Sequence, residues 1–366
     1  MLKARVEVFP SGLQDFQDVV VKDVMQLAKY FAKRIIYSVG VLFGVSVLIF
    51  VISNIVPGDP ARMALGPRAP EWAVEALRKE MNLDKPLVTR YFLWLSNLLR
   101  GDLGESLRSR RPITRDIAEY LPASLEIIAL AALFMAGIGI NLGRLSAKYA
   151  GTWLDGLIRI VSYVGIVTPA FVWAIVFSLV FSYLLPIFPT VGRISPNLTP
   201  PPRITGMYII DGLITGNFRV ALDALWHIIL PALALAMGGA AQAARMTRAS
   251  MVDNADKDYI LAARAYGVPD KLIYRKLLLK PSLIAPISIM ALDIAALLGN
   301  AFLVELVFLY PGFSRYGVEA MLNKDLFAII SVVLIIGVAY TVANVIIDVI
   351  IAYLDPRVRF GGNRSA

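Results

Sequence analysis

The chain contains no cysteine and a single histidine, His227. Without thiols it can form neither disulfides nor thiolate metal sites, and it has no cysteine nucleophile. One histidine also excludes a metal site built from several imidazoles, so we expect no resident metal. No GxxxxGK[ST] phosphate loop occurs in the sequence, and we therefore expect no ATP bound by that device and no cofactor in this chain.

Charged residues are scarce. They make up 17% of the 366 residues, whereas hydrophobic residues make up 58%, and the mean hydropathy is +0.67. A surface of this composition is too apolar for a water-soluble domain, which indicates an integral membrane protein. The net charge of +9 is more typical of basic cytoplasmic loops than of nucleic-acid binding in such a protein. We expect the lipid bilayer, and no nucleic acid, as a partner.

Long apolar runs predict an all-α membrane protein with six transmembrane helices, because about 20 apolar residues cross the hydrocarbon core. The first span is placed at residues 33–58, where no charge occurs from 35 to 58. The N-terminus lacks the short core and cleavage site of a removable signal peptide, so this span is expected to be retained. The other five lie within 122–354, at about 122–143, from about 157 with its end left open, 224–244, 282–308 and 326–354.

The segments outside the spans also have predicted roles. Residues 1–32 are predicted to form a cytoplasmic extension with a helix along the membrane surface, with a partly disordered tail as the alternative for 1–14. Residues 59–121 are predicted to form a helical extracytoplasmic loop with amphipathic runs at 71–81 and 87–99. Residues 355–366 form a cytoplasmic tail. Six spans put both termini on one side, which holds 20 Lys and Arg; the other side holds 5 once the long 57–121 loop is set aside. Both termini are therefore predicted to be cytoplasmic.

One long polar passage is set between two strongly apolar ones: residues 245–282, called here the polar helical segment. Its apolar side chains at helical spacing predict a short amphipathic helix; they are Tyr259, Ile260, Ala263 and Tyr266. Gly267 suits a helix end and Pro269 a helix start, so a second helix is expected to follow a sharp turn. We expect Pro281 to interrupt that second helix.

Three polar residues near the fifth span are candidates for a translocation path: Asp293, Asn300 and Glu305. A charge near mid-membrane costs roughly 2.5 to 3.5 kcal/mol on insertion scales, so Asp293 faces either a cavity or a structural partner, and both alternatives stay open. Glu305 lies near a span end, which favours a structural role. Asn300 also fits a hydrogen bond between packed helices.

Several long motifs in order resemble one family over residues 31–360. They are LFGVSVLIFVISNIVPGDPA, LDKPLVTRYFLWLSNLLRGDLGES, LVELVFLYPGFSRYG and NVIIDVIIAYLDPRVR. The sequence resembles the inner-membrane permeases of ATP-binding cassette importers for dipeptides, oligopeptides and nickel. This resemblance implies the type I importer permease architecture, with a cytoplasmic coupling helix in segment 245–282.

The polar helical segment resembles the coupling loop of these permeases, in which two alanines are followed by three residues and a glycine. The alanines fall on Ala262 and Ala263 and the glycine on Gly267, while Leu261 takes the position of a glutamate found in many importers. The resemblance implies a set of ATPase-coupling residues: Arg248, Asp258, Tyr259, Ala262, Ala263, Arg264 and Gly267. Residues 1–30 and Asp293 do not match the family pattern.

By this resemblance the chain is a multi-pass permease subunit in a prokaryotic inner membrane, and not itself an enzyme. The implied partners are a second homologous permease, two cytoplasmic ATPase subunits that hold ATP and magnesium, and an extracytoplasmic solute-binding protein. The implied cargo is a di- or oligopeptide, with oligosaccharides, glutathione or nickel as alternatives.

Three other functions remain as rivals. A proton-coupled secondary carrier could use Asp293, Glu305 or Asp348. A membrane-embedded hydrolase or transferase is disfavoured because no paired catalytic carboxylates, metal-ligand cluster or nucleophile with a base is evident. A non-transporting membrane scaffold is disfavoured only by the intramembrane charge and the glycine content.

Overall fold

The structure, a computed structural model, describes residues 12–55, 59–66 and 68–354. Over these residues it is built of helices, and the predicted 355–366 tail lies outside them. The helices are α1 Gly12–Ile55, α2 Pro60–Leu65, α3 Glu71–Glu80, α4 Leu87–Leu99, α5 Ile113–Lys148, α6 Trp153–Val167, α7 Ala170–Phe177, α8 Tyr208–Ile214, α9 Phe218–Ala255, α10 Asp258–Ala265, α11 Asp270–Leu272, α12 Leu279–Ser282, α13 Ile284–Asn300, α14 Phe302–Val307, α15 Phe313–Leu322 and α16 Leu326–Leu354. Two π-helical segments, Ser178–Leu184 and Ile273–Leu278, continue α7 and α11.

Four helices are long and apolar enough to cross a membrane by themselves. The qualifying stretches are Ala32–Ile52, Ile113–Lys148, Phe218–Ala255 and Leu326–Ile347. Two bent pairs, Trp153–Val167 with Ala170–Leu184 and Asp270–Ser282 with Ile284–Asn300, pass the same test when each is taken together. By length and composition the structure thus offers four spans, or up to six if each bent pair is one span.

The first span and the preceding segment form one helix. α1 runs from Gly12 to Ile55 without a break at residue 32, where the sequence interpretation placed a boundary between a surface helix and the span. Charged and apolar turns can share one continuous backbone because helical hydrogen bonds do not depend on which turns lie in the membrane. The amino-acid composition changes along α1, but the helical backbone is continuous.

A sharp bend explains why the end of the third span could not be read from composition. The helix axes of α6 and the Ala170–Leu184 stretch differ by 108°. Thr168 ends α6 in an extended conformation and Pro169 precedes α7. A residue before proline is pushed out of the helical region, so the apolar run is divided at this point.

Both α5 and α9 are longer than the predicted second and fourth spans. α5 has 36 residues and includes Pro122 within its first turns, and α9 has 38 residues and includes Pro231. Hydropathy marks only the part that suits hydrocarbon, whereas the backbone continues through polar turns at either end. The sequence boundaries at 122 and 244 therefore fall inside helices.

α5 and α9 are packed at backbone distance through glycines. A Cβ at Gly139 would lie 2.7 Å from the Ala240 carbonyl oxygen, and one at Gly143 would lie 2.5 Å from the Ala244 carbonyl oxygen. Since lipid tails are as apolar as leucine, close packing of small residues is a main source of helix association in a bilayer. Helices α6, α7, α8 and α13 then pack on α9, which makes it the central helix.

The segment between the first two long helices is helical. α3 and α4 cover nearly the two amphipathic runs read from the sequence. Tyr91 of α4 is buried, and its hydroxyl lies 2.7 Å from the hydroxyl of Ser46 in α1. Its ring meets Phe50 edge-on at 5.3 Å between centroids. These contacts attach the loop helices to the side of α1.

The segment 185–217 is attached to α5 by a buried ion pair. The Arg193 guanidinium donates to Glu126 at 2.8 Å, and their side chains are 9% and 5% exposed. Arg193 also lies 3.6 Å from the centroid of the Tyr208 ring, while Glu126 accepts a 2.7 Å hydrogen bond from the Ile209 amide. Both charges are therefore compensated, as burial requires.

Asp211 folds the same segment locally. Its buried carboxylate accepts from the amides of Ile204, Thr205 and Gly206 and from the Thr205 hydroxyl, at 2.7 to 3.3 Å. Burial by itself raises the pKa of Asp211, but these donors outweigh that and leave the pKa below its usual value. The carboxylate is thus ionised where it organises the turn.

The glycine packing gives a test within one helix. Gly143→Leu should lower the melting temperature of the purified chain, because the added side chain meets the α9 backbone; overpacking typically costs about 1 to 3 kcal/mol. Gly137→Leu is the matched control, since a Cβ at Gly137 meets nothing within 4 Å. Equal melting temperatures for the two variants in detergent would contradict the packing described.

Candidate functional site

The polar helical segment begins as a continuation of α9. That helix runs to Ala255, and after a short turn α10 covers Asp258–Ala265. Gly267 follows with φ of +74°, the left-handed region that favours glycine. Pro269 then precedes α11. The predicted helix, sharp turn and second helix are all present.

The second helix does not stop at Pro281. α11, the π-helical stretch 273–278 and α12 follow one another to Ser282, and the bend of 51° towards α13 comes only at Leu283. The predicted interruption therefore occurs, but two residues after Pro281. The preceding π-helical stretch changes the backbone hydrogen-bond pattern just before Pro281, which lets the chain stay helical through a residue without an N–H donor.

A small apolar cluster holds α10 against the rest of the segment. Met251 of α9, Ile260 of α10, and Ile273 and Leu278 of the second helix are each at most 1% exposed and pack together. Ala263 packs against this cluster from α10. The cluster makes α9, α10 and the second helix one packed unit.

A second anchor is polar. The Asn254 side-chain amide donates to the Ser282 hydroxyl at 2.9 Å, and Ser282 itself lies 3.1 Å from the Ser250 carbonyl oxygen. Ser282 is 1% exposed. The end of α9 is thereby joined to the residue just before the bend into α13.

The outer face of α10 is uncovered. Tyr266 is 89% exposed and Tyr259 45%, although the sequence pattern had grouped both with buried Ile260 on one apolar stripe. Exposed with them are Asp258, Leu261, Ala262, Arg264 and Gly267. Large apolar groups beside small ones on a short helix at one end of a bundle are typical of an interaction surface.

Arg248 lies apart from that face. Its guanidinium makes a bidentate ion pair with Asp155 of α6, at 2.6 and 2.8 Å. Asp155 is 1% exposed and also accepts from the Ser146 hydroxyl at 2.5 Å and the Gly151 amide at 3.0 Å. The pair ties α9 to the α5–α6 turn, so Arg248 positions the segment and does not form part of its exposed surface.

Asp293 and Asn300 share one face of α13. They are seven residues apart, which is two turns or about 10 Å along a helix. Asp293 is half-buried, and its Oδ2 finds no hydrogen-bond partner among the described residues, while Asn300 is exposed. No structural partner for Asp293 is therefore evident in the part of the chain that the structure describes.

Glu305 has a different environment. It is fully buried, and its carboxylate accepts from the Ser124 hydroxyl and from the Arg315 amide at 2.7 Å. Ser124 in turn accepts from the Phe313 amide at 2.7 Å, and Gly312 leaves no room for a side chain beside the carboxylate. Glu305 thus fixes the start of α15, in line with the structural role favoured for it from its place near a span end.

The fold and this site define a multi-pass helical membrane protein with an exposed helix at one end of its bundle. The family pattern of the binding-protein-dependent transport system inner membrane component matches residues 139–360, and that of the family's N-terminal membrane component matches residues 27–127. The chain belongs to this family. It is a multi-pass inner-membrane permease of the ATP-binding cassette importer type, and not itself an enzyme. Membership of this family implies ATPase and binding-protein partners in general.

Three relatives illustrate the match. The chain is 39% identical over 322 residues to a probable D,D-dipeptide transport system permease of Escherichia coli K12, covering 88% of this chain and 95% of the relative. It is 34% identical over 331 residues to a dipeptide transport system permease of Alkalihalophilus pseudofirmus, covering 90% and 99%. It is 32% identical over 334 residues to a glutathione transport system permease of Escherichia coli K12, covering 91% and 100%.

Sequence reasoning missed the partners that hold the segment in place. Asp155 and Ser146 are far from Arg248 in sequence, and no local pattern links them. Ser282 was read only as a span start. By contrast, the spacing of Ile260 and Ala263, three residues apart, did carry a signal for the buried side of α10.

The Arg248–Asp155 pair predicts a stability effect. Arg248→Gln should lower the melting temperature of the purified chain, because breaking a buried pair typically costs roughly 3 to 5 kcal/mol. Asp155→Asn added to it should restore part of the loss, since no uncompensated carboxylate then remains. Arg245→Gln is the control, because exposed Arg245 forms no ion pair with a described residue and its guanidinium donates to the neutral side chain of Gln242. A control variant as unstable as Arg248→Gln would refute this role of the pair.

Proposed function

We propose that the chain is the permease subunit of an importer for short peptides. The observation that carries this proposal is that relatives matching 88% or more of the chain are named for dipeptides, D,D-dipeptides or glutathione. All three cargoes are peptides or peptide-like solutes. The proposal includes six spans, with both termini and segment 245–282 in the cytoplasm; the four spans, or up to six, offered by length and composition are compatible with it.

The cargo is tested through the binding protein. The solute-binding protein that stimulates the assembled importer would be purified with its natural ligand, and the ligand identified by mass spectrometry. A short peptide is expected. An oligosaccharide or a nickel complex would overturn the peptide assignment while leaving the permease assignment intact.

The energy for uptake enters, in this proposal, at α10. Two ATPase subunits hold ATP and magnesium, and a second homologous permease completes the membrane portion. The exposed face of α10 would lie in a cleft of one ATPase, with Tyr259 and Tyr266 as aromatic anchors and Asp258 and Arg264 orienting the contact. Closure of the ATPases around ATP would move α10 and exchange inward for outward access.

The packed unit described above supports such transmission. Ile260 packs α10 against Met251 of α9 and against Ile273 and Leu278 of the second helix, and the Asn254–Ser282 hydrogen bond joins α9 to the residue before the bend into α13. Arg248 joins α9 to α6. A displacement of α10 would therefore pass to α9 and to the second helix, and from these to α6 and α13.

Close docking at Ala262 can be tested directly. Ala262→Leu should reduce ATP-driven uptake and cargo-stimulated ATP hydrolysis by roughly ten-fold or more, because a side chain added to a packed contact typically costs about 1 to 3 kcal/mol. Uptake and hydrolysis would be measured with the assembled importer in proteoliposomes. Ala150→Leu, at another exposed alanine of the same end, is the control.

Substitution of Gly267 can distinguish the effect of backbone strain from the effect of side-chain size. Nothing lies within 4 Å of a Cβ added there, so only its φ of +74° restricts it in the isolated chain. Gly267→Asn should keep the turn, because asparagine tolerates this region, and a loss of uptake by that variant would report contact with the ATPase. If uptake and stimulated hydrolysis persisted in both Ala262→Leu and Gly267→Asn complexes, α10 would not be the docking helix.

We also propose that Asp293 and Asn300 line the path taken by the cargo. The half-buried carboxylate with its unpartnered oxygen supports this, because an ionisable group inside a bundle is retained where it meets a cavity or a polar ligand. The same observation would fit a proton-coupled carrier. That rival requires uptake by the chain without ATPases under a proton gradient, which the proposed importer does not perform.

The natural absence of cysteine allows a clean accessibility test. Asp293→Cys and Asn300→Cys in the assembled importer should react with a charged, membrane-impermeant thiol reagent, because thiolate forms only where water reaches the side chain. Leu292→Cys is the control. Leu292 is 45% exposed in the isolated chain, but it lies on another face of α13, so it should not react if the water-filled path runs along Asp293 and Asn300. Labelling at Leu292 alone would place the path on that other face.

A further inference from the structure

A groove separates the end of α5 from the start of the second helix of the polar helical segment. Arg144 and Lys148 lie on one wall, and Lys271 and Arg275 on the other. The groove has a volume of about 660 Å³. Four cations thus face one space, and they come from two elements that are far apart in sequence.

The positive charge of the groove is only partly compensated. Asp270 is the one acidic residue among those that line it, and none of the four cations forms an ion pair with a described residue. Elsewhere the fold pairs its buried guanidinium groups, as at Arg193 and Arg248. An anionic occupant would neutralise the positive charge that Asp270 leaves uncompensated.

One wall of the groove lies at the end of a helix that is long and apolar enough to cross a membrane. Lys148 is the last residue of α5, a membrane-crossing helix, and exposed Tyr149 and Trp153 follow it directly. Tyrosine and tryptophan concentrate at the membrane–water interface. The opposite wall belongs to the helix pair Asp270–Ser282 with Ile284–Asn300, which also passes as a span. The α5 wall therefore lies where a membrane-crossing helix ends, and the opposite wall begins the helix that leads into α13.

We propose that this groove binds the phosphate headgroup of an anionic phospholipid. Basic pockets between membrane helices on the cytoplasmic side suit such headgroups. Leu145 and Tyr274, which also line the groove, would contact the glycerol and the first methylenes of the lipid. An acidic protein segment is the other possible occupant, but the exposed aromatic face of α10 is a separate surface and the interfacial aromatics favour lipid.

The bound lipid would brace the polar helical segment. Lys271 and Arg275 belong to the helix that packs against Ile260 of α10, while Arg144 and Lys148 belong to α5. A phosphate headgroup between them would form ion pairs with cations of both walls and so link the second helix to α5. This inference does not depend on which solute the importer carries, and its test uses lipid retention, which is independent of transport.

The experiment compares charge-removing variants of the full chain, assembled with its partners and reconstituted in nanodiscs. The discs contain phosphatidylcholine with or without a minority of phosphatidylglycerol, and retained lipid is counted by native mass spectrometry. Lys148→Gln with Lys271→Gln removes one cation from each wall. Lys276→Gln with Lys280→Gln is the matched control, because both lysines are exposed on the same segment and do not line the groove.

The wild-type protein is expected to retain phosphatidylglycerol in preference to phosphatidylcholine. The groove variant should lose this preference by roughly ten-fold to thirty-fold, because each basic residue near a membrane surface contributes about five-fold. The control variant and the charge-preserving pair Lys148→Arg with Lys271→Arg should keep it. The arginine pair also shows that the sites tolerate substitution without loss of fold.

Three outcomes would overturn the proposal. One is equal retention of phosphatidylglycerol by the groove and control variants. Another is stabilisation in phosphatidylcholine discs by inorganic phosphate equal to that by phosphatidylglycerol, which would make the ligand a free anion. The third is loss of ATPase subunits from the groove variant with lipid retention unchanged, which would assign the groove to an acidic protein surface.

Discussion

The rest of the structure depends on the close approach of α5 and α9. In a bilayer the hydrophobic effect does not drive helices together, so the α5–α9 contact must gain its energy from van der Waals contact and polar links. Gly139 and Gly143 allow the two backbones to meet, and the helices that pack on α9 depend on the position this gives it. The same helix then leaves the apolar region and becomes the base of the polar helical segment.

Polar contacts link the packed helices to one another, so that a movement of one helix can be passed to its neighbours. Arg248 and Asp155 hold α9 to α6, and Ser282 holds the end of α9 to the start of the bend before α13. At the opposite end of the bundle Arg193 and Glu126 play an equivalent part for the segment 185–217. Buried, hydrogen-bonded side chains therefore hold each end of the bundle to the central helices, while close packing of small residues holds its middle.

The sequence predicted the class of fold because hydropathy and helical spacing are local properties. It placed the polar helical segment and the turn at Gly267, and the family resemblance it carried was confirmed. It did not predict the 108° bend between α6 and α7 as a change of direction, since a proline indicates a break but not an angle. Nor did it predict that Tyr259 and Tyr266 face outward, because a helix of eight residues has too few positions to define which face is buried. The Arg248–Asp155 contact depends on tertiary structure and leaves no local pattern.

The length of α9 has a thermodynamic consequence. Its 38 residues extend about 57 Å, against about 30 Å for the hydrocarbon core, so one helix reaches both aqueous sides. If the ATPases act on one end of this helix and the binding protein on the other, the two equilibria are linked and the linkage is reciprocal. If nucleotide binding changes the affinity for the binding protein by some factor, then docking of the binding protein must change the affinity for nucleotide by the same factor.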